Sequence, residues 1–508
     1  MRIFEWLLLA SNIGYLAFLL TAKHNRRLHL LIAGGVSALL LVLHVTLEGY
    51  RIHLIVPYLF TIIAVTMATM DYMTGKERRR LSKMLTIPFY TIVSLLLLKT
   101  GLLLYAFPVV KMPEPTGQYA IGTEQFHWID EAREETFDDQ PEGNRELIVQ
   151  LWYPAERTSG QPELFFPDMA RMSESEQIAE MLGGLKGPVE AFGDYLKYIP
   201  SHSYAGAEIA GDQEAYPVIV LNHGFGTTRQ FHVSQAEELA SQGYIVASID
   251  HTYSTFATFF PDGRVTTNTT SKLGFEIETL DAIGKVWTED VAFVLDQLEK
   301  LQSGEIAGEA AGKLALDRIG VFGHSFGGAT AYDSAFDARI KASINMDGPL
   351  FRKRGEAALG KPFMFMLSDE VYQNQKKLVE QNTFTDEELD KLGATREEFE
   401  SHQAEFEQDL AHLKQLAQNG ASILYVEDTK HYNFSDAQFI SPVLKYIGLN
   451  GNIDPKRSDR IVKAYILDFF NKHLKGDGGE LAAGADSSYP EVKFVPEMYA
   501  EWEPASRK

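Results

Sequence analysis

Between an apolar run at 319–322 and a small-residue run at 328–332 stands Gly323-His324-Ser325-Phe326-Gly327, a serine with a glycine two residues away on each side. Few folds accept this arrangement. A chain that leaves a buried strand and enters a helix within one residue bends so sharply that side chains two positions either side would collide, and glycine removes the collision. The pattern predicts a sheet with a helix packed on it and Ser325 raised above the sheet edge. It also aims the Phe326 N–H at the place where an oxyanion would form on a carbonyl attacked by that serine.

The flanking sequence agrees. Short apolar strands are predicted at 218–221, 245–249, 319–322, 342–346, 362–367 and 423–427, with helical segments at 233–241, at 287–301 and after Ser325. Alternation of this kind implies an α/β domain, a mostly parallel sheet with helices on both faces. Strand-like runs at 119–129 and 145–153 predict an antiparallel start, so the domain is read as 119–475. Two segments break the rhythm. Over 163–200 apolar residues recur every three or four positions, which predicts one or two amphipathic helices forming a cap-like segment. Residues 371–420 are acidic and helical, with capping boxes at 385–388 and 395–398 and an apolar stripe through Phe399, Phe406, Leu410 and Leu413, and read as an insertion between two sheet strands. An amphipathic helix at 458–475 closes the domain, and the tail 476–508 is expected to wrap its surface.

The amino-terminal part obeys different rules. Residues 1–110 contain four apolar stretches near 3–20, 28–45, 53–70 and 87–110, each close to the length that crosses a bilayer, followed by a proline-containing linker at 111–118. Up to Lys111 there are 12 Lys and Arg against 4 Asp and Glu, so this part holds +8 of a net charge of −22 and the remainder holds −30. An acidic soluble part argues against nucleic acid as a partner and leaves the bilayer as the partner of the first part. Lys23, Arg26 and Arg27 crowd the first connection, and Lys76, Arg78, Arg79, Arg80 and Lys83 the third. Both connections are therefore expected in the cytoplasm, and an even number of spans puts everything after Lys111 outside, as a multi-pass cell-membrane protein. With no cysteine, disulfides, thiolate metal sites and a cysteine nucleophile are excluded, which fits an extracytoplasmic bacterial protein. Lys99, inside the fourth stretch, is expected to snorkel to an interface or pair with Glu48 or Asp71.

A serine hydroxyl needs a base, and the base an orienting acid; on this strand-turn-helix the chain order is serine, acid, histidine. Only His402, His412, His431 and His473 follow Ser325. The first two lie in the acidic insertion and the last in the closing helix, where each is read as a solvated or half-buried surface group. His431 alone stands in a loop just after a strand. Two acids qualify, Asp347 after the strand at 342–346 and Asp369 after the strand at 362–367, and the residues by themselves leave both open. A second oxyanion donor is expected from His223-Gly224-Phe225-Gly226, through the Phe225 backbone. The same glycines do not make a dinucleotide fingerprint, because Arg229 stands where the third glycine belongs, and no cofactor is expected.

These blocks together, with Met346-Asp347-Gly348, His431-Tyr432-Asn433-Phe434-Ser435-Asp436 and the strand Arg145-Glu146-Leu147-Ile148-Val149-Gln150-Leu151-Trp152-Tyr153-Pro154, resemble the secreted and type II platelet-activating-factor acetylhydrolases over roughly 117–475. The resemblance implies an α/β-hydrolase fold, cleavage of short or oxidised acyl chains from phospholipid-like esters without a metal, and Asp347 rather than Asp369 as the acid. The four spans and the long insertion lie outside that family's animal pattern. A general carboxylesterase or polyester hydrolase is the alternative within enzymes. A membrane sensor or scaffold that keeps a hydrolase-like domain is the alternative outside them, disfavoured because serine, acid and base are all present.

Overall fold

The computed structural model describes residues 2–21, 27–74, 83–138, 143–156, 160–181, 193–274, 276–350, 359–381 and 409–495, with the single positions 385, 395, 396 and 499. The first helices are α1 (Ile3–Thr21), α2 (Arg27–Leu43), α3 (Ile55–Thr74) and α4 (Lys83–Ala106). With the turns that extend them they give four helical stretches of 19 to 23 residues, long and apolar enough to cross a membrane. Their outward faces carry exposed Leu7, Ile13, Ile32, Leu39, Ile62 and Leu98, whereas Leu8, Leu16, Tyr58, Leu97 and Leu104 pack inside. Inside, Thr61 donates to Asn12 Oδ1 at 2.9 Å and Asn12 Nδ2 to the Pro57 carbonyl at 3.0 Å, the kind of pairing an interior without water favours. The fourth helix stops at Ala106 rather than at 110, because Pro108 disfavours helical geometry in the residue before it. Lys99 is exposed on the outside of α4, and the expected Glu48 partner is engaged elsewhere, accepting from the Phe4 and Glu5 N–H groups at 3.0 and 3.2 Å.

Beyond the linker, strands β1 (Ala120–Glu134) and β2 (Asn144–Ala155) pair antiparallel. They are followed by β3 (Ser203–Ala205), β4 (Tyr216–Asn222), β5 (Ile245–Asp250), the separate hairpin β6 (Ala257–Phe259) and β7 (Val265–Thr267), β8 (Leu314–His324), β9 (Ile340–Met346), β10 (Phe363–Ser368), β11 (Ser422–Val426) and β12 (Val492–Phe494). Among the described residues the main sheet has ten strands in the order β12-β11-β10-β9-β8-β4-β5-β2-β1-β3. Its centre, β5 to β11, is parallel. Alternation along β4 shows why both faces are covered. Val218 and Val220 enter one core, with Val291, Val294 and Leu298 of α6 (Ile277–Ser303), while Ile219 and Leu221 enter the other, with Ala236 and Leu239 of α5 (Val233–Ser241). The second core also holds Ile461, Tyr465 and Phe469 of α9 (Pro455–Phe470). Two shorter helices complete the numbering, α7 (Phe326–Ser334) and α8 (Asp369–Gln381).

The segment at 163–200 forms two one-turn helices, Met169–Glu174 and Glu176–Met181, and a 3-10 turn at Asp194–Tyr198, with 182–192 outside the described residues. Phe165, Phe166, Met169 and Tyr195 are buried in the second core, so this part of the stripe covers the domain. Of the segment at 371–420, the first turns lie in α8 and residues 409–418 are helical; both capping boxes, Phe399, Phe406 and His402 fall mainly or wholly outside the described residues. Leu410 and Leu413 are buried against the first core. His412 is not the surface group expected: it is buried and hydrogen-bonded to the Tyr332 hydroxyl on α7. The tail adds β12 to the sheet edge and buries Tyr499.

Candidate active site

Between β8 and α7, Ser325 takes φ 57° and ψ −126°, a left-handed conformation that costs of order 1–3 kcal/mol for a residue with a side chain. The strain is held in place by packing. A Cβ at Gly323 would run into the Gly327 carbonyl, and one at Gly327 into the carbonyls of Asn222 and His223 at the end of β4. The Ser325 N–H donates to the Met346 carbonyl at 2.9 Å, which ties the elbow to the end of β9. The serine is half-buried, at the carboxyl edge of the sheet.

The next residue after β9 is Asp347, also left-handed at φ 54°. Its carboxylate is closed from solvent: Oδ1 accepts the Ser368 N–H at 2.6 Å, and Oδ2 accepts from His431 Nδ1 at 2.8 Å. The His431 side chain is 35% exposed against 0% for Asp347. With Nδ1 committed to the carboxylate, Nε2 is the nitrogen left to take a proton. The loop after β11 brings His431 back over the elbow, where its carbonyl accepts from His324 Nε2 at 2.9 Å and the two rings lie 4.5 Å apart. Asp369 does not join them. Its carboxylate accepts from Gln373 Nε2 at 3.0 Å and from the Asp428 N–H at 3.1 Å, so it braces the turn after β11.

On the other side of the serine, a Cβ on Gly224 would lie 3.3 Å from Ser325 Cβ, so the loop after β4 comes into contact with the elbow. The Phe225 and Phe326 rings are 5.6 Å apart, and Trp287 backs Phe326 at 4.8 Å. Arg229, at the position that ruled out a dinucleotide loop, is buried and paired with Asp250. A separate surface depression of about 560 Å³, lined by Gln213, Ala215, Leu314 and Arg318, lies at the strands' opposite ends, far from these groups.

Three supports were not read from the sequence. Burial, with the His431 ring beside it, pushes His324 well below its ordinary pKa, so it is a neutral strut under the His431 carbonyl. At the start of α5, the single Ser234 hydroxyl proton faces carboxylate oxygens of both Asp436 and Asp459. Lys463 pairs with Asp459 at 2.8 Å, burial followed by the Asp459 charge pushes Asp436 up to about 8, and the Ser234 bonds to Asp436 fasten the His431 loop to α5. Behind the Gly224 loop, Arg145, Asp290 and His251 form a buried network. The variable position of the serine motif is the local signal that could have marked His324; Asp436 and Arg145 stand in the family-like blocks with no role read for them, and nothing local marks Ser234, Asp459, His251 or Asp290.

Residues 104–481 match the family model for platelet-activating factor acetylhydrolase, isoform II. The chain belongs to this family. Among its relatives is a protein of Arthroderma benhamiae named "Probable 1-alkyl-2-acetylglycerophosphocholine esterase", 27% identical over 410 residues, which span 76% of this chain and 93% of that one. The platelet-activating factor acetylhydrolase of Gallus gallus is 24% identical over 51% of this chain and 63% of its own length. Among solved structures, the ferulic acid esterase of Streptomyces cinnamoneus superposes with a TM-score of 0.56 at 26% identity, covering 76% of this chain and 99% of that one. This member of the acetylhydrolase family is thus a carboxylic ester hydrolase on an α/β-hydrolase fold.

Proposed function

We propose a membrane-anchored serine esterase that removes short or oxidised acyl groups from phospholipid-like esters through an acyl-Ser325 intermediate. The hydrogen bond from His431 Nδ1 to the buried Asp347, 2.8 Å long and set beside a strained serine elbow, carries this reading. Ser325 Oγ attacks the ester carbonyl and His431 Nε2 takes its proton. The Phe225 and Phe326 N–H groups stabilise the oxyanion, and Asp347 holds the imidazole and balances its charge. The tetrahedral intermediate collapses, the leaving alcohol takes the proton from His431, and water then attacks the acyl-serine by the same route to release the acid. No cofactor enters any step.

The membrane part supports an anchor and a site near lipid. Ser441 Oγ, on the segment that follows the His431 loop, donates to the Ala106 carbonyl at the end of α4 at 2.6 Å, and Tyr195 donates to the Ile440 carbonyl at 2.7 Å. With the basic first and third connections in the cytoplasm, the catalytic domain lies outside, open to protease on intact cells. A fluorophosphonate should label the intact protein and leave Ser325→Ala unlabelled and inactive; equal labelling of the variant ends the serine reading. Likeness to a ferulic acid esterase favours a general carboxylesterase as the second reading. Indifference to the head group in a phospholipid series would select it.

A further inference from the structure

We infer that His223 is a positioning residue for the oxyanion site, acting through the peptide unit between Gly224 and Phe225. The inference rests on the serine-esterase reading above and adds a residue to it. A trans peptide is planar, with its C=O and N–H pointing in opposite directions, so whatever fixes the Gly224 carbonyl fixes the Phe225 N–H. Three donors converge on that carbonyl: His223 Nδ1 at 2.7 Å, Thr227 Oγ1 at 2.7 Å and Thr227 N at 3.0 Å. Thr227 closes the same turn, which is also held to the loop after β5 by the Gly226 N–H to the Ser254 carbonyl and by the Phe256 N–H to the Thr227 carbonyl, both 2.9 Å. His223 is the donor from outside the turn, with its ring tied to the body of the domain.

The tie also decides which nitrogen carries the proton. The backbone N–H of His251 donates to His223 Nε2 at 3.2 Å, so Nε2 is the acceptor and Nδ1 holds the hydrogen that reaches the Gly224 carbonyl. Burial, with the His251 ring nearby, pushes His223 well below its ordinary pKa, which keeps this neutral tautomer. His251 is immobile in turn. Its Nδ1 contacts Asp290 at 2.9 Å, its Nε2 contacts Asn222 Oδ1 at 3.1 Å, and its ring stacks on Trp287 at 3.9 Å and 10°. Arg145 grips Asp290 through two bonds of 3.1 and 2.7 Å. A line of buried groups thus runs from α6 and β2 to one backbone amide beside Ser325.

The test uses the full chain in detergent, with p-nitrophenyl acetate as substrate. His223→Asn places an amide nitrogen where Nδ1 stands and keeps the bond to Gly224; His223→Gln places its amide oxygen where Nε2 stands, accepting the His251 N–H, and loses the bond to Gly224; His223→Leu loses both. Leucine and glutamine variants should lose about 10- to 100-fold in kcat with KM within about threefold, a fraction of what deleting an oxyanion donor costs. The asparagine variant should stay within about threefold of wild type in kcat, even with a Tm as low as the others. A merely structural histidine would instead make activity per folded molecule follow Tm. If asparagine and glutamine variants fold and are equally active or equally impaired, the inference is overturned; the comparison holds should the leucine variant fail to fold. Ser325→Ala separates the two claims: an active alanine variant sinks the esterase reading, whereas a dead one alongside indistinguishable His223 variants sinks this inference alone.

Discussion

The two sides of Ser325 are braced in opposite ways. On one side His431 rests on a single carboxylate, is about a third exposed and reaches the elbow through its own carbonyl. On the other, the Gly224 turn is backed by His223, His251, Asp290 and Arg145, all buried. On the proposed serine mechanism, the difference follows from what each side must do. A base exchanges protons with substrate and water twice per turnover and needs access to both, whereas an oxyanion donor must already point the right way when charge appears, and reorientation at that moment costs rate. One side is built to react and the other to stay still.

The sharpest way to break this comparison is Asp347→Asn. Asparagine keeps an oxygen for the Ser368 N–H, so the fold should survive with an unfolding free energy within about 1 kcal/mol of wild type. It no longer selects the tautomer with a proton on Nδ1 or balances an imidazolium, and kcat should fall by about 10⁴. Turnover within tenfold of wild type would show that His431 takes its orientation from another group.

How far each side was legible in the sequence follows the same division. The elbow and the Asp347–His431 pair were legible because their signals are local: a glycine-framed serine, an acid at a strand end and a lone histidine in a loop each stand out within a few residues. The choice between Asp347 and Asp369 was left open by the residues and came only from family resemblance, since both follow sheet strands; what separates them is that the Asp369 carboxylate turns to the Asp428 N–H. The still side was not legible. Arg145 lies on β2, His251 follows β5 and Asp290 lies on α6, and only the sheet order brings them together. His412 was misplaced for a related reason: its acidic neighbours suggested a solvated helix, and its partner Tyr332 is far away in the chain.

Asp290→Asn sharpens the other half. Burial alone would raise the Asp290 pKa, but the Arg145 charge and the His251 N–H overcome it and hold the carboxyl well below its ordinary range. Replacing it leaves Arg145 buried with half its partners, so urea unfolding near neutral pH should show a loss of about 3–5 kcal/mol. Because folding lowers this pKa, the contribution is present above the unfolded carboxylate value of about 3.9 and is lost as pH falls through the folded value. The gap between wild type and variant should therefore shrink toward acid. A gap that widened in acid, or a loss below about 1 kcal/mol, would mean that the network is not what holds this side still.

The smallest effect belongs to Asp369→Asn, and it tests whether the boundary between the two sides is drawn at the right residue. Asp369 lies at the end of a sheet strand, within reach of the turn that leads to His431, and a carboxylate there has the position expected of an orienting acid. Its bonds run to the Gln373 side chain and the Asp428 N–H, the second of which supports a residue held at φ 60°. Asparagine can still accept that N–H through its amide oxygen and loses only a charge at a partly exposed position, so stability should change by about 1 kcal/mol or less. The kcat should stay within about threefold, with an unchanged pH profile, since the His431 imidazole is hydrogen-bonded to Asp347 and not to Asp369. A loss approaching that of Asp347→Asn would move the acid to β10 and make the 2.8 Å bond between His431 and Asp347 a resting arrangement rather than the working one.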